Sequence, residues 1–189
     1  MSKPTNGKPA LFFSKTIRTI QSPKGSALFA KLVEPDVYKG GDPTWKITLV
    51  FNENDQEFID FKATLAKFSA EFTAETGKTA DPFAMIRPDK MSGEPSITFS
   101  SKVKMGDDGN AIPVIVVDAA KKPTSADVRN GSQCRAAIQL GGWTSPFGAG
   151  IKAYLNAVQV ISLGSGSSGG FTSTDVFDSA PTASIELPF

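Results

Sequence analysis

SQCRAAIQLGGWTSPFGAGIKAYLNAVQVISL, residues 132–163, reads as two long strands joined by a turn rich in Gly and Pro. Cys134, Ala136, Ile138 and Leu140 alternate with Arg135, Ala137, Gln139, Gly141 and Trp143. A period of two with one apolar face marks a half-buried antiparallel strand. The return strand turns Ile151, Ala153 and Leu155 inward and Lys152, Tyr154 and Asn156 outward. The outer face of this hairpin therefore carries Arg135, Gln139, Trp143, Lys152 and Tyr154, and the turn adds Phe147. Cations beside rings on a sheet surface suit single-stranded nucleic acid, because cations meet phosphates and unpaired bases stack on rings. The competing reading is that Trp143 and Tyr154 cover a second core layer or a dimer contact.

The composition narrows the choice. The 189 residues, 40% hydrophobic and 10% aromatic, predict one domain with a substantial core. No apolar run is long enough to span a membrane. MSKPTNGKPA at the start lacks the apolar segment of a signal peptide. A single cysteine, Cys134, excludes an internal disulfide and a structural zinc site. Histidine is absent, which removes the commonest metal ligand and general acid–base. No cofactor and no metal are expected, and the protein is read as soluble and intracellular, without membrane contact.

The net charge of +1 is unevenly spread. Residues 164–189 hold three acids and no Lys or Arg, leaving 20 bases against 16 acids in the body, a net +4. Residues 53–75 hold six acids and two lysines, so the rest of the body carries +8. An acidic helix and tail beside a mildly basic sheet is a segregated pattern.

Along the chain, residues 1–10 read as a loose arm and Leu11 to Ile20 as a first strand. Ser26 to Val33 is a strand in which Ala27, Phe29, Lys31 and Val33 share a side. A loop with Tyr38, Lys39 and Gly40-Gly41 follows, then a strand, Thr44 to Phe51, alternating Trp45 and Ile47 with Lys46 and Thr48. Phe58, Phe61, Leu65, Phe68 and Phe72 recur at spacings of three and four, predicting a helix over about 53–76 with its aromatic stripe in the core. Asn54 and Glu57 read as its capping pair and Gly77 as its stop. Ser96 to Met105 is a strand with Lys102 and Lys104 on one side, Gly106 to Asn110 a hairpin turn rather than a calcium loop, and Ala111 to Asp118 a near-continuous apolar strand. Asn130-Gly131-Ser132 reads as a turn rather than a glycosylation site. Six or seven strands with one helix suggest a mainly β fold: an antiparallel barrel of the oligonucleotide-binding (OB) type with added strands fits best, with a sandwich as the alternative.

Leu163 ends the expected DNA-binding domain, 1–163. Gly164 to Gly170 reads as a flexible linker, and 164–189 as a disordered acidic tail closing on Glu186, Leu187, Pro188 and Phe189. An acidic tail with an apolar tip reads as a docking peptide.

In this order of elements the chain resembles the single-stranded DNA-binding proteins of tailed phages, of the podovirus replication type. The resemblance rests chiefly on Ile115 to Pro123 and Gly141 to Leu163 and covers about 10–163. It implies an OB barrel, no enzymatic activity, and an acidic tail ending in Phe that contacts replication or repair partners and competes with DNA. This tail has only three acids, which implies weak self-competition and leaves a homodimer through tail exchange open. Its end, ELPF, is similar to the tips of bacterial single-stranded DNA-binding proteins.

The leading expectation is a sequence-tolerant single-stranded DNA-binding protein of phage replication and recombination, binding duplex DNA weakly if at all. Its candidate DNA contacts are Lys31, Tyr38, Lys39, Lys46, Lys102, Lys104, Arg135, Trp143, Phe147, Lys152 and Tyr154. The runner-up is a β-rich phage structural or accessory protein that binds no nucleic acid. A carboxylate-based magnesium nuclease lacks a clustered Asp/Glu motif.

Overall fold

The computed structural model describes residues 12–165; the expected N-terminal arm and the Glu186–Phe189 tip lie outside the described residues. Ten strands and one helix follow in the order β1 (Phe12–Gln21), β2 (Gly25–Asp36), β3 (Thr44–Val50), α1 (Gln56–Thr76), β4 (Arg87–Pro88), β5 (Pro95–Lys102), β6 (Lys104–Met105), β7 (Ala111–Ile112), β8 (Ile115–Val117), β9 (Gln133–Ser145) and β10 (Gly148–Ser162). The long hairpin expected over 132–163 is β9–β10, paired from Gly148↔Ser145 to Ser162↔Gln133.

Five strands close on themselves. β9 pairs β2, β2 pairs β3, β3 pairs β5, β5 pairs β10, and β10 returns to β9. Counted along the chain the barrel strands run 1-2-3-5-4 and back to 1, the Greek-key closure of an oligonucleotide-binding barrel. The fold is mainly β, as expected. The closing contact departs from a wholly antiparallel barrel: β10 and β5 run parallel and meet only at Tyr154↔Ser100. β1 extends the sheet along β9, and β8 lies parallel to β10 at Ala157 to Gln159. The inward alternation of β3, β5 and β9 fills the barrel with Trp45, Ile47, Leu49, Ile97, Phe99, Ile138 and Leu140. Cys134 is among them, and burial pushes its thiol up to about 12.

α1 packs its expected stripe, Phe58, Phe61, Leu65, Phe68 and Phe72, into that core. Phe58 stacks on Phe51 with ring centroids 5.1 Å apart. Phe72 sits against β9 where Gly142 leaves room: a Cβ there would lie 2.2 Å from the ring. The N-cap is Asp55, one residue later than the expected Asn54, because its carboxylate accepts the Glu57 N–H at 3.0 Å. Gly77 ends the helix in the left-handed conformation.

Three of the four acids of α1 are engaged by the sheet. Glu71 accepts from Arg18 at 2.8 Å, and Glu75 accepts the backbone N–H groups of Lys15 and Thr16. Glu57 takes both terminal nitrogens of Arg135, each at 2.8 Å. The acidic segment seen in the charge distribution thus clamps α1 to β1 and β9.

Three local expectations are corrected. In β2 the register jumps from Leu28↔Thr48 to Lys31↔Lys46, with Phe29 at φ 50° between them. This bulge inserts one residue, so Ala27 stays buried while Phe29, Lys31 and Val33 face solvent. The run from Ala111 to Asp118 is not one strand. Pro113 has no N–H to give a ladder, and the chain splits there into β7, which pairs β6, and β8, which pairs β10. Likewise Ser96 to Met105 breaks at Val103, whose N–H goes to the Pro43 carbonyl, leaving Met105 exposed in the β6–β7 hairpin.

Candidate nucleic-acid interface

One row of side chains crosses the outside of the barrel. Following the register, Lys31 of β2 stands opposite Lys46, Lys46 opposite Ser100, Ser100 opposite Tyr154, and Tyr154 opposite Gln139. Register partners on neighbouring strands, antiparallel or parallel, present their side chains to the same face, so these residues form a continuous strip. A second row lies beside it, with Lys152 opposite Gly141 and Trp143 opposite Gly150. The Trp143 indole covers Gly150 so closely that a Cβ would fall 2.8 Å from three ring atoms. Lys152 Nζ stands 5.0 Å from the centre of the Tyr154 ring.

The connections flanking this face each present a ring. In the β2–β3 loop Tyr38 is 71% exposed with Lys39 Nζ 5.3 Å from its centroid. At the tip of the β9–β10 hairpin Phe147 is 87% exposed. A large apolar side chain this free of contacts contributes little to folding, which leaves it available to a partner.

The lysines of this surface divide into two groups. Lys46 Nζ is held by Asp36 at 2.7 Å, and Lys102 Nζ by Asp42 at 2.6 Å. The Lys102 ammonium holds the Asp42 carboxyl below its ordinary value and is itself raised by the same hydrogen bond. Lys31, Lys39, Lys104 and Lys152 have no carboxylate partner among the described residues.

Ten of the eleven residues singled out from the sequence therefore lie on the strip, beside it or on its bordering connections. Arg135 does not join them. It lies four residues beyond Gln139 on β9, its side chain 24% exposed, locked to Glu57 under the first turn of α1. The alternation of β9 correctly put it on the outer face, but the helix covers that end of the face. Sequence reasoning also missed a cleft of about 480 Å³ where β5 and β10 part, with Trp45 at its floor and Lys102 and Lys104 at its rim. Its only sequence signal was Pro113, which interrupts the apolar run that forms one wall.

A closed five-stranded OB barrel with a clamped helix and a basic, ring-bearing outer face defines the class. Among solved structures the chain is similar to gp2.5, a single-stranded DNA-binding protein encoded by bacteriophage T7, with a TM-score of 0.57 and 18% identity over 84% of this chain and 100% of that one. It is also similar to the single-stranded DNA-binding protein of bacteriophage Enc34, solved in complex with single-stranded DNA, with a TM-score of 0.58 and 14% identity over 76% of this chain and 86% of that one. A C-terminal truncation of the Enc34 protein aligns equally well, at a TM-score of 0.58. The chain thus shares its fold with phage single-stranded DNA-binding proteins. No protein-family model and no curated protein sequence matches it.

Proposed function

We propose that this protein binds single-stranded DNA without strong sequence preference, in phage replication and recombination, and is not an enzyme. The carrying observation is the strip from Lys31 through Lys46 and Tyr154 to Gln139, bordered by Tyr38 and Phe147. In OB folds the face of the second and third barrel strands, with the loops joining strands 1–2 and 4–5, is where oligonucleotides bind. Here those are β3 and β5, the Tyr38 loop and the Phe147 turn. Every base has a face to stack, and lysines read phosphate rather than sequence, so the chemistry is sequence-tolerant. The fold shared with two phage proteins described as binding single-stranded DNA supports the same reading.

Filter-binding titration with oligo-dT at low salt tests it. Saturable binding, with much weaker retention of duplex of equal length, is the expected result. Absence of binding at low salt overturns the proposal and favours a structural phage protein.

The proposal extends to the chain beyond Leu163. Residues 1–163 are the binding domain, and Glu186, Leu187, Pro188 and Phe189 are a tip for a replication or repair protein. The apolar Leu187, Pro188 and Phe189 beside the Glu186 carboxylate suit a pocket with an apolar floor and a basic rim. A pull-down from infected-cell lysate with full-length protein and a Phe189 deletion tests this; recovery of the same proteins by both refutes it.

A further inference from the structure

The cleft between β5 and β10 has a chemistry that the outer strip lacks. Because those strands pair only at Tyr154↔Ser100, the barrel wall opens beyond that point toward its buried interior. Trp45 and Leu155, both almost fully buried, make the floor. Ile112 and Ile115, half exposed, make an apolar wall. That wall is anchored: the indole N–H of Trp45 donates to the Ile112 carbonyl at 3.0 Å. Loss of strand pairing at Pro113 is what lets the segment stand off the barrel and form a wall instead of closing the gap.

The rim combines two cations with two amides. Lys102 and Lys104 border the cleft on one side, Gln139 and Asn156 on the other. Neither amide engages another described side chain or backbone group. Tyr154 belongs to both features, since it lines the cleft and stands in the outer strip. A concave apolar slot with a few convergent polar groups is the usual form of a ligand site.

We propose that this cleft takes one nucleobase turned out of the bound strand, resting on the proposal that the outer strip binds single-stranded DNA. The base lies against Ile112 and Ile115 over the Trp45 floor, its Watson–Crick edge meets the Gln139 and Asn156 amides, and the flanking phosphates meet Lys102 and Lys104. A base in duplex has that edge occupied and cannot leave the stack without unpairing. The cleft therefore adds to the rejection of duplex that the rings of the strip, which stack only on unpaired bases, already give.

The test uses full-length protein and the shortest oligo-dT that retains full affinity, with a single abasic residue walked through it and binding read by fluorescence anisotropy. Loss of the base held in the cleft, which gives up ring and amide contacts together, should weaken binding by about 100-fold at one position, against about 5- to 10-fold where a base only stacks on a ring of the strip. Ile115→Trp and Ile112→Trp each fill the cleft from a solvent-facing position. Each should lower affinity for intact oligo-dT, abolish the position-specific abasic penalty and narrow the single-strand over duplex preference. A flat abasic profile on wild-type protein overturns the inference whether or not either variant folds, and so does wild-type binding by a folded variant. Both outcomes leave the outer-strip proposal standing, since that fails only when intact oligo-dT does not bind wild-type protein.

Discussion

Asp42→Asn should make DNA binding tighter at low salt and more sensitive to salt. Four lysines of the proposed face, Lys31, Lys39, Lys104 and Lys152, have no carboxylate partner among the described residues, whereas Lys46 and Lys102 are held by Asp36 and Asp42. A free lysine that meets a phosphate releases one condensed cation from the strand. A lysine already paired releases the same cation, but the carboxylate it leaves takes one up, so its net salt effect is small. Single-stranded DNA gives a log–log slope of about −0.7 per phosphate neutralised, so four free lysines predict about −2.8. Between 50 and 200 mM salt that slope is a loss of about 50-fold in affinity. Removing the Asp42 charge frees Lys102 and should steepen the slope to about −3.5, a loss of about 130-fold across the same interval. The assay is an anisotropy titration with oligo-dT at four or five salt concentrations. Asp127→Asn is the control, because its partner Arg129 lies off the strip. A slope near zero for wild-type protein, or an Asp42→Asn slope equal to or shallower than wild type, refutes the reasoning.

Three further outcomes follow from other contacts. Tyr154→Ala should cost about 1–3 kcal/mol of oligo-dT affinity, the scale of one stacked base, with the thermal midpoint little changed. Gly142→Ala forces a methyl to within 2.2 Å of the Phe72 ring and should lower stability by about 1–3 kcal/mol or more in denaturant unfolding; unchanged stability would mean that Phe72 does not dock there. Arg135→Met should leave DNA affinity unchanged and cost about 1 kcal/mol of stability, the scale of a partly exposed ion pair. Arg135 holds the Glu57 carboxyl below its ordinary value of 4.5, so the stability gap between wild type and variant should be full above pH 4.5 and close as the pH falls below it. A gap that persists or widens in acid contradicts that assignment, as does a loss of DNA binding in the variant.

The features legible in the sequence were those set by neighbours a few residues away. The alternation of 132–163 and the aromatic stripe of α1 are local periodicities, and both elements form as read. Lys152 and Tyr154 stand outward for the same reason. The bulge at Phe29 was hidden, because the residue carries no glycine-like signal and its N–H is held by Asn130, which is 101 positions away. The split at Pro113 was available from the missing N–H, but the apolar run on both sides outweighed it. Arg135 was read as a DNA contact because alternation gives a face and not what covers it; Glu57, which pairs with it, is 78 residues earlier. The cleft depends on how far β5 and β10 stay together, a property of barrel closure between strands distant in sequence.

Photo-cross-linking tests the central claim most directly. Oligo-dT carrying 5-iododeoxyuridine, bound to full-length protein, irradiated and digested, reports by mass spectrometry which rings lie against bases. The account predicts adducts at Tyr154, Tyr38 and Phe147, with Trp143 beside them, all bordering the face of β3, β5 and β10. Adducts confined to Phe83 in the connection after α1, or to the first turns of α1 around Arg135, would place the strand on another surface and contradict it.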